Sequence, residues 1–132
     1  MKIIADTNVL LRFFVDDDPA QSQAAKAALT KAGAVVVSQH ALCELVWVLG
    51  RRYKFSKDQI ADVIQALLDK ENVVTDRGAV EAGLDLLKAG GDFADGVIAY
   101  EGSWLGGETF VSFDKKAVAL LKSQGQKARL LA

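Results

Sequence analysis

Apolar residues follow two rhythms along this chain. Short runs, β-branched or continuously apolar, at about 2–5, 34–37, 72–75, 109–113 and 128–131 predict strands. Between them lie longer stretches whose apolar positions recur every three to four residues. The helix predicted over about 57–70 is the clearest, with Ile60, Val63, Ile64, Leu67 and Leu68 on one stripe, the spacing of a core-facing helix. Local signals mark the boundaries. Asp18 before Pro19, Ser56 with Gln59 three residues on, and Asp76 each announce a helix start, while Gly33, Gly90–Gly91 and Gly106–Gly107 announce stops. Strands alternating with helices, without repeat or linker, imply a single α/β domain over 1–132 with a mainly parallel sheet. The segment Val9–Val15 is apolar on more than one face, so an exposed Leu/Phe patch for a protein partner is expected there.

Acids interrupt this pattern where the pattern has no use for them. Asp6 closes the run Ile3-Ile4-Ala5, which reads as a fully buried strand, and Asp114 closes the run ending Val111-Ser112-Phe113. Ligand sites of open α/β sheets gather at such carboxyl ends. Glu44 lies mid-helix among Ala41, Leu42, Cys43, Leu45, Val46, Trp47, Val48 and Leu49, and is expected to be buried. Asp95 sits among Phe93, Ala94, Val97, Ile98 and Ala99, with Asp92 one turn earlier. An uncompensated buried carboxylate costs on the order of several kcal/mol, and a shared cation removes that cost. A structural use competes for most of these acids: Asp6, Asp92 and Asp114 suit helix N-caps, and Asp95 suits a first helical turn. Glu44 has no such use.

Composition narrows the chemistry. With 132 residues, 51% of them hydrophobic, the chain can bury one core. A net charge of −1 argues against coating nucleic acid by bulk positive charge, but not against a nuclease whose metal ions meet the phosphates. One cysteine, Cys43, excludes an internal disulfide or a multi-cysteine zinc site and fits a reducing cytoplasm. No apolar run reaches the roughly 20 residues of a membrane span, and Asp6 breaks any signal-peptide layout, so a soluble cytoplasmic protein is expected. The single histidine, His40, rules out a paired-imidazole mechanism on one chain and reads as a surface residue, although it stands one turn before Glu44. No Walker-type or GxGxxG loop supports a nucleotide cofactor. In GRRYKF, residues 50–55, Arg51, Arg52 and Lys54 alternate with aromatics and are candidates for RNA contact, as is Lys115 beside Asp114. A solvated cationic helix end accounts for the first group equally simply.

Four carboxylates repel one another without a cation, and hard oxygen ligands select Mg2+ or Mn2+. In the pieces ADTNVLL, HALCELVWVL, DFADGVIA and FVSFDKKA, in that order and spacing, the chain resembles a PIN domain, most closely the VapC-type toxins of type II toxin–antitoxin pairs. The resemblance spans essentially the whole chain. It implies a three-layer α/β/α sandwich with a five-stranded, mainly parallel sheet, in which Asp6, Glu44, Asp95 and Asp114 bind Mg2+ or Mn2+ and hydrolyse RNA to a 5′-phosphate and a 3′-hydroxyl. Thr7, Asn8 and Ser112 would support the site or the substrate, with Asp92 a further outer ligand. The implied partners are an RNA substrate (tRNA, rRNA or mRNA), a VapB-type antitoxin and a second copy in a homodimer. Ser112 stands where Thr is commoner, and Ala117 and Val118 where the family often has an aromatic.

Two alternatives come from other classes. A receiver-like signalling domain also gathers acids around Mg2+, but it needs an acidic pair after the first strand, where this chain has Asp6-Thr7-Asn8. A haloacid-dehalogenase-type phosphatase would need an acid where Asn8 stands. A catalytically silent PIN-fold scaffold would be marked by a missing acid, and none is missing.

Overall fold

A computed structural model describes residues 1–132. Residues Met1–Asp76 form one compact unit and Arg77–Ala132 another.

The first unit contains β1 (Lys2–Ile4), α1 (Thr7–Phe14), α2 (Pro19–Lys31), β2 (Ala34–Val36), α3 (Gln39–Arg51), α4 (Lys57–Asp69) and β3 (Val73–Val74). Its helices start where short polar side chains satisfy the first free backbone N–H groups. Asp6 accepts from Val9 N at 2.9 Å, Asp18 from Gln21 N at 3.2 Å and Ser38 from Ala41 N at 3.1 Å. The predicted capping box closes in both directions: Gln59 N donates to Ser56 Oγ at 3.1 Å, and Ser56 N donates to Gln59 Oε1 at 2.8 Å. The three strands pair in parallel in the order β1-β2-β3, with Ile4 opposite Val36 and Val36 opposite Val74. Leu10, Leu29, Val35, Leu42, Leu45, Leu49 and Ile64 are fully buried.

The second unit contains α5 (Arg77–Lys88), α6 (Phe93–Trp104), β4 (Phe110–Ser112), α7 (Lys115–Ser123) and β5 (Ala128–Leu130). Strands β4 and β5 pair in parallel, and Leu86, Val118, Leu121 and Ala128 form a buried cluster with Phe110 and Leu120 packed against it. Helices α5 and α6 approach very closely because both present glycine. A Cβ at Gly96 would stand 2.5 Å from the backbone oxygen of Ala82, and one at Gly83 would stand 2.8 Å from the Phe93 ring. That approach seats Phe93, fully buried, and so fixes the first turn of α6, where Asp92 and Asp95 lie.

The α/β class and the parallel strands are as expected, but details differ. The five strands form a three-stranded and a two-stranded ladder instead of one sheet; at two or three residues each, every edge offers few backbone groups for pairing. Strand β1 is not fully buried, since Ile4 is 83% exposed and shares an uncovered side with Val36 and Val74. The expected Leu/Phe patch is also absent. Leu10 and Leu11 are buried, and Phe13 and Phe14 are half-buried edge to face, with Lys70 over the Phe13 ring. No helix is long and apolar enough to cross a membrane.

Candidate active site

In the first unit the candidate residues surround the start of α1 and one side of α3. Asp6 caps α1 through Oδ1, and a carboxylate has a second oxygen beyond the one that caps. Thr7, on the first turn of α1, donates from Oγ1 to Glu44 Oε1 at 3.1 Å. His40 Nε2 lies 3.2 Å from the same Glu44 oxygen, one turn earlier on α3. Asn8 is exposed beside them. His40 is a surface residue, as expected, with its side chain 86% exposed, and it stands beside a candidate ligand.

The expected burial of the acids needs correcting. Asp6 and Asp114 are exposed, and the Glu44 side chain is 54% exposed. The reason lies in helical geometry: successive residues turn by about 100°, which places His40, Glu44, Trp47 and Arg51 on a single stripe. The apolar residues Ala41, Leu42, Leu45, Val46 and Leu49 take the buried side. Sequence neighbours that look as if they enclose Glu44 in fact point away from it. Asp95 alone is partly withdrawn from solvent.

The second unit carries the remaining acids. Asp92 caps α6 by accepting from Ala94 N at 3.1 Å, and Asp114 caps α7 by accepting from Lys116 N at 2.9 Å and Ala117 N at 3.1 Å. Asp114 N in turn donates to Ser112 Oγ at 3.0 Å, so the hydroxyl of the last residue of β4 shapes the turn that presents this carboxylate. Burial, then the negative charges of Asp92 and Asp114, push the Asp95 carboxyl above its ordinary range. Asp95 thus stands near two other carboxylates of its unit, an arrangement that a cation would relieve. No group of three or more His, Cys, Asp or Glu side chains stands where it could hold a metal ion.

The candidate RNA contacts are all at the surface. Arg51 stands over the Trp47 ring at 5.4 Å, Arg52 caps the C-terminal end of α3, Lys54 holds a left-handed φ of 58°, and Lys115 opens α7. Two groups were not legible in the sequence: the Thr7 hydroxyl's bond to Glu44, and a cluster in which Arg12 bonds Asp17 and Gln21 while Tyr53 Oη donates to Asp17 at 2.7 Å. A groove of about 400 Å3 between α6, β4 and β5, lined by Ile98, Ser103, Glu108, Phe110 and Lys127 among others, contains none of the candidate acids. Its walls hold no group of titratable side chains like that around Asp95, which makes the acids the better guide to chemistry.

A family model for the PIN domain matches residues 3–120. Among solved structures, the Mycobacterium tuberculosis protein VapC20, described as a Sarcin-Ricin loop cleaving toxin, aligns with 90% of this chain and 94% of its own at 17% identity, with a TM-score of 0.44. No curated protein matches the chain.

Proposed function

The chain belongs to the PIN domain family, and from that premise we propose that it is an Mg2+- or Mn2+-dependent endoribonuclease, the cytoplasmic toxin of a VapBC-type pair. The observation that carries the reading is that none of the four acids the resemblance implies is missing: Asp6, Glu44, Asp95 and Asp114 are all present, and the Thr7 hydroxyl holds Glu44 at 3.1 Å.

The donor set fits a hard divalent ion, being made of carboxylates without thiol or paired imidazole. Asp6, Glu44, Asp95 and Asp114 would hold it, with Asp92 as an outer ligand. When bound, such an ion supplies positive charge that acidifies water and neutralises the phosphate. The chain's own groups do the rest. Thr7 Oγ1 fixes the rotamer of Glu44, and His40 lies against the same oxygen. Ser112 Oγ holds the turn that aims Asp114. Asn8 and Lys115, both exposed, would contact the substrate. Water attacks phosphorus in line and the 3′-oxygen leaves, giving a 5′-phosphate and a 3′-hydroxyl. A VapB-type antitoxin and a second copy of the chain are the proposed protein partners.

A second reading has one observation behind it. Asp6, Asp92 and Asp114 all cap helices, a role they would keep in a silent scaffold. One experiment separates the two: incubate purified protein with a panel of structured RNAs, including tRNAs, in Mg2+, Mn2+ or EDTA, beside Asp95→Asn. Cleavage that needs both the metal and Asp95 supports the nuclease. Intact RNA with every metal, from folded antitoxin-free protein, leaves the scaffold.

A further inference from the structure

We infer that the exposed stripe of α3 running from Glu44 through Trp47 to Arg51, continued by Arg52 and Lys54, is a track for an unpaired stretch of RNA, with Trp47 as its base-stacking platform. The inference rests on the RNA-directed reading above and specifies the substrate: single-stranded where it meets the protein.

Packing gives no reason for Trp47 to be where it is. The core side of α3 is filled by Leu42, Leu45, Val46 and Leu49, while the Trp47 indole is 59% exposed. An exposed indole next to cationic side chains is the make-up of single-strand binding surfaces, in which aromatic rings stack bases and cations meet the backbone. Its neighbours define the ligand. Arg51 lies over the ring at 5.4 Å, which puts a guanidinium beside the exposed indole, where the phosphate of a stacked nucleotide would pass. Along a helix rising about 1.5 Å per residue, Trp47 is about 4.5 Å and Arg51 about 10.5 Å beyond Glu44. The stripe thus runs from a candidate reaction centre, past a stacking surface, to cationic charge.

The cationic end is also held in place. Tyr53 Oη donates to Asp17, which the Arg12 guanidinium also grips, and Phe55 N donates to Leu49 O at 3.0 Å. Between these two anchors Lys54 keeps its left-handed φ of 58°, a conformation that costs a residue with a Cβ and persists only where the surroundings impose it. A turn so fastened holds the backbone from which the exposed Arg52 and Lys54 project, in a chain whose net charge is −1. Duplex RNA hides its base faces, so a stacking platform selects unpaired nucleotides.

The chain has two tryptophans, so Trp104→Phe leaves Trp47 as the only one. In an Asp95→Asn background, to prevent cutting, this protein is titrated with a short oligoadenylate and with the same strand annealed to its complement. The single strand should quench Trp47 emission and the duplex should not. Trp47→Leu should weaken binding of the single strand by roughly 5- to 100-fold and Trp47→Phe should recover most of it, while Arg51→Gln should lower the slope of log affinity against log salt by about 0.7. Unchanged Trp47 emission on a bound oligonucleotide would overturn the track. So would a Leu variant that, with Asp95 intact, cuts RNA at unchanged KM, or one that converts a dimer to monomer with RNA binding intact, which would assign the stripe to a second copy. Quenching by the single strand, while protein with Asp95 intact leaves the whole panel of structured RNAs uncut with every metal, would instead sink the nuclease reading and leave the track standing.

Discussion

Thr7 Oγ1 donates to Glu44 Oε1 at 3.1 Å, joining the first turn of α1 to the middle of α3 across 37 positions of sequence. Glu44 is largely exposed, and an exposed glutamate samples many rotamers unless a donor selects one. Thr7→Val removes the donor while keeping the shape. The expected result is a fall in cleavage rate of about 10-fold or more, with a stability change of about 1 kcal/mol or less. Thr7→Ser keeps the hydroxyl and should keep most of the activity. Equal rates for the Val and Ser variants would remove Thr7 from the site.

Asp95 should make the protein less stable as pH rises. Its carboxyl is raised in the fold, by burial first and by Asp92 and Asp114 next. Between the ordinary value of 3.8 and the raised one, the folded state therefore holds a proton that the unfolded chain has lost. Stability falls with pH through that window and stays lower above it. Asp95→Asn removes the dependence: its melting temperature should match wild type near pH 3 and exceed it near pH 7, while cleavage is abolished. Wild type being the more stable of the two at neutral pH without divalent ions would contradict this account of Asp95.

Much of the fold was legible because its signals are local. Caps at Asp18 and Ser56, the periodicity of α4 and the five short apolar runs all depend on neighbours within a few residues. The setting of Glu44 runs against the pattern of its neighbours for the opposite reason. Eight apolar neighbours in the sequence look like enclosure, yet the helical turn sends five residues of that stretch inward and leaves His40, Glu44, Trp47 and Arg51 together outside. The acids themselves were visible as interruptions of apolar runs. Their supporting bonds were not: no local pattern links Thr7 to Glu44 or Tyr53 to Asp17. Nor does the sequence reveal that Gly96 and Gly83 are where α5 and α6 touch.

Gly96 follows Asp95 and has no room for a side chain. An added Cβ would lie 2.5 Å from Ala82 O and 2.7 Å from Gly83 Cα; both are backbone atoms that cannot swing aside. Gly96→Ala should therefore force α6 away from α5 and cost about 1–3 kcal/mol, as overpacking does, even though alanine favours the helix. Chemical denaturation measures the loss. Gly102, on the same helix with open space where a Cβ would go, is the control: Gly102→Ala should be neutral or mildly stabilising. If the two substitutions behaved alike, close packing would not be what fixes the first turn of α6.

The bond from Tyr53 Oη to Asp17 should show itself as a plateau in pH. Asp17 is exposed, and its carboxyl is held below the ordinary value of 3.8 by the Tyr53 hydroxyl first and, beyond that, by the Arg12 guanidinium. A lowered carboxyl stabilises the fold above its unfolded value, and that contribution is lost as pH falls through the folded one. The Tyr53 phenol is raised above its ordinary 10.0, chiefly by the same bond. A raised phenol contributes below its unfolded value and loses that contribution as pH rises through the folded one. Both signs give the same window. Tyr53→Phe should be less stable than wild type across the neutral range, and the gap should close below about pH 3.8 and above about pH 10. Because salt screens an exposed carboxylate, the Arg12 share should shrink in high salt and the hydroxyl share should remain. Thermal melts of both proteins from acid to alkali measure the gap. A gap of constant size at every pH would mean that Tyr53 acts through its ring against neighbouring apolar groups, and that Asp17 does not anchor the turn carrying Arg52 and Lys54.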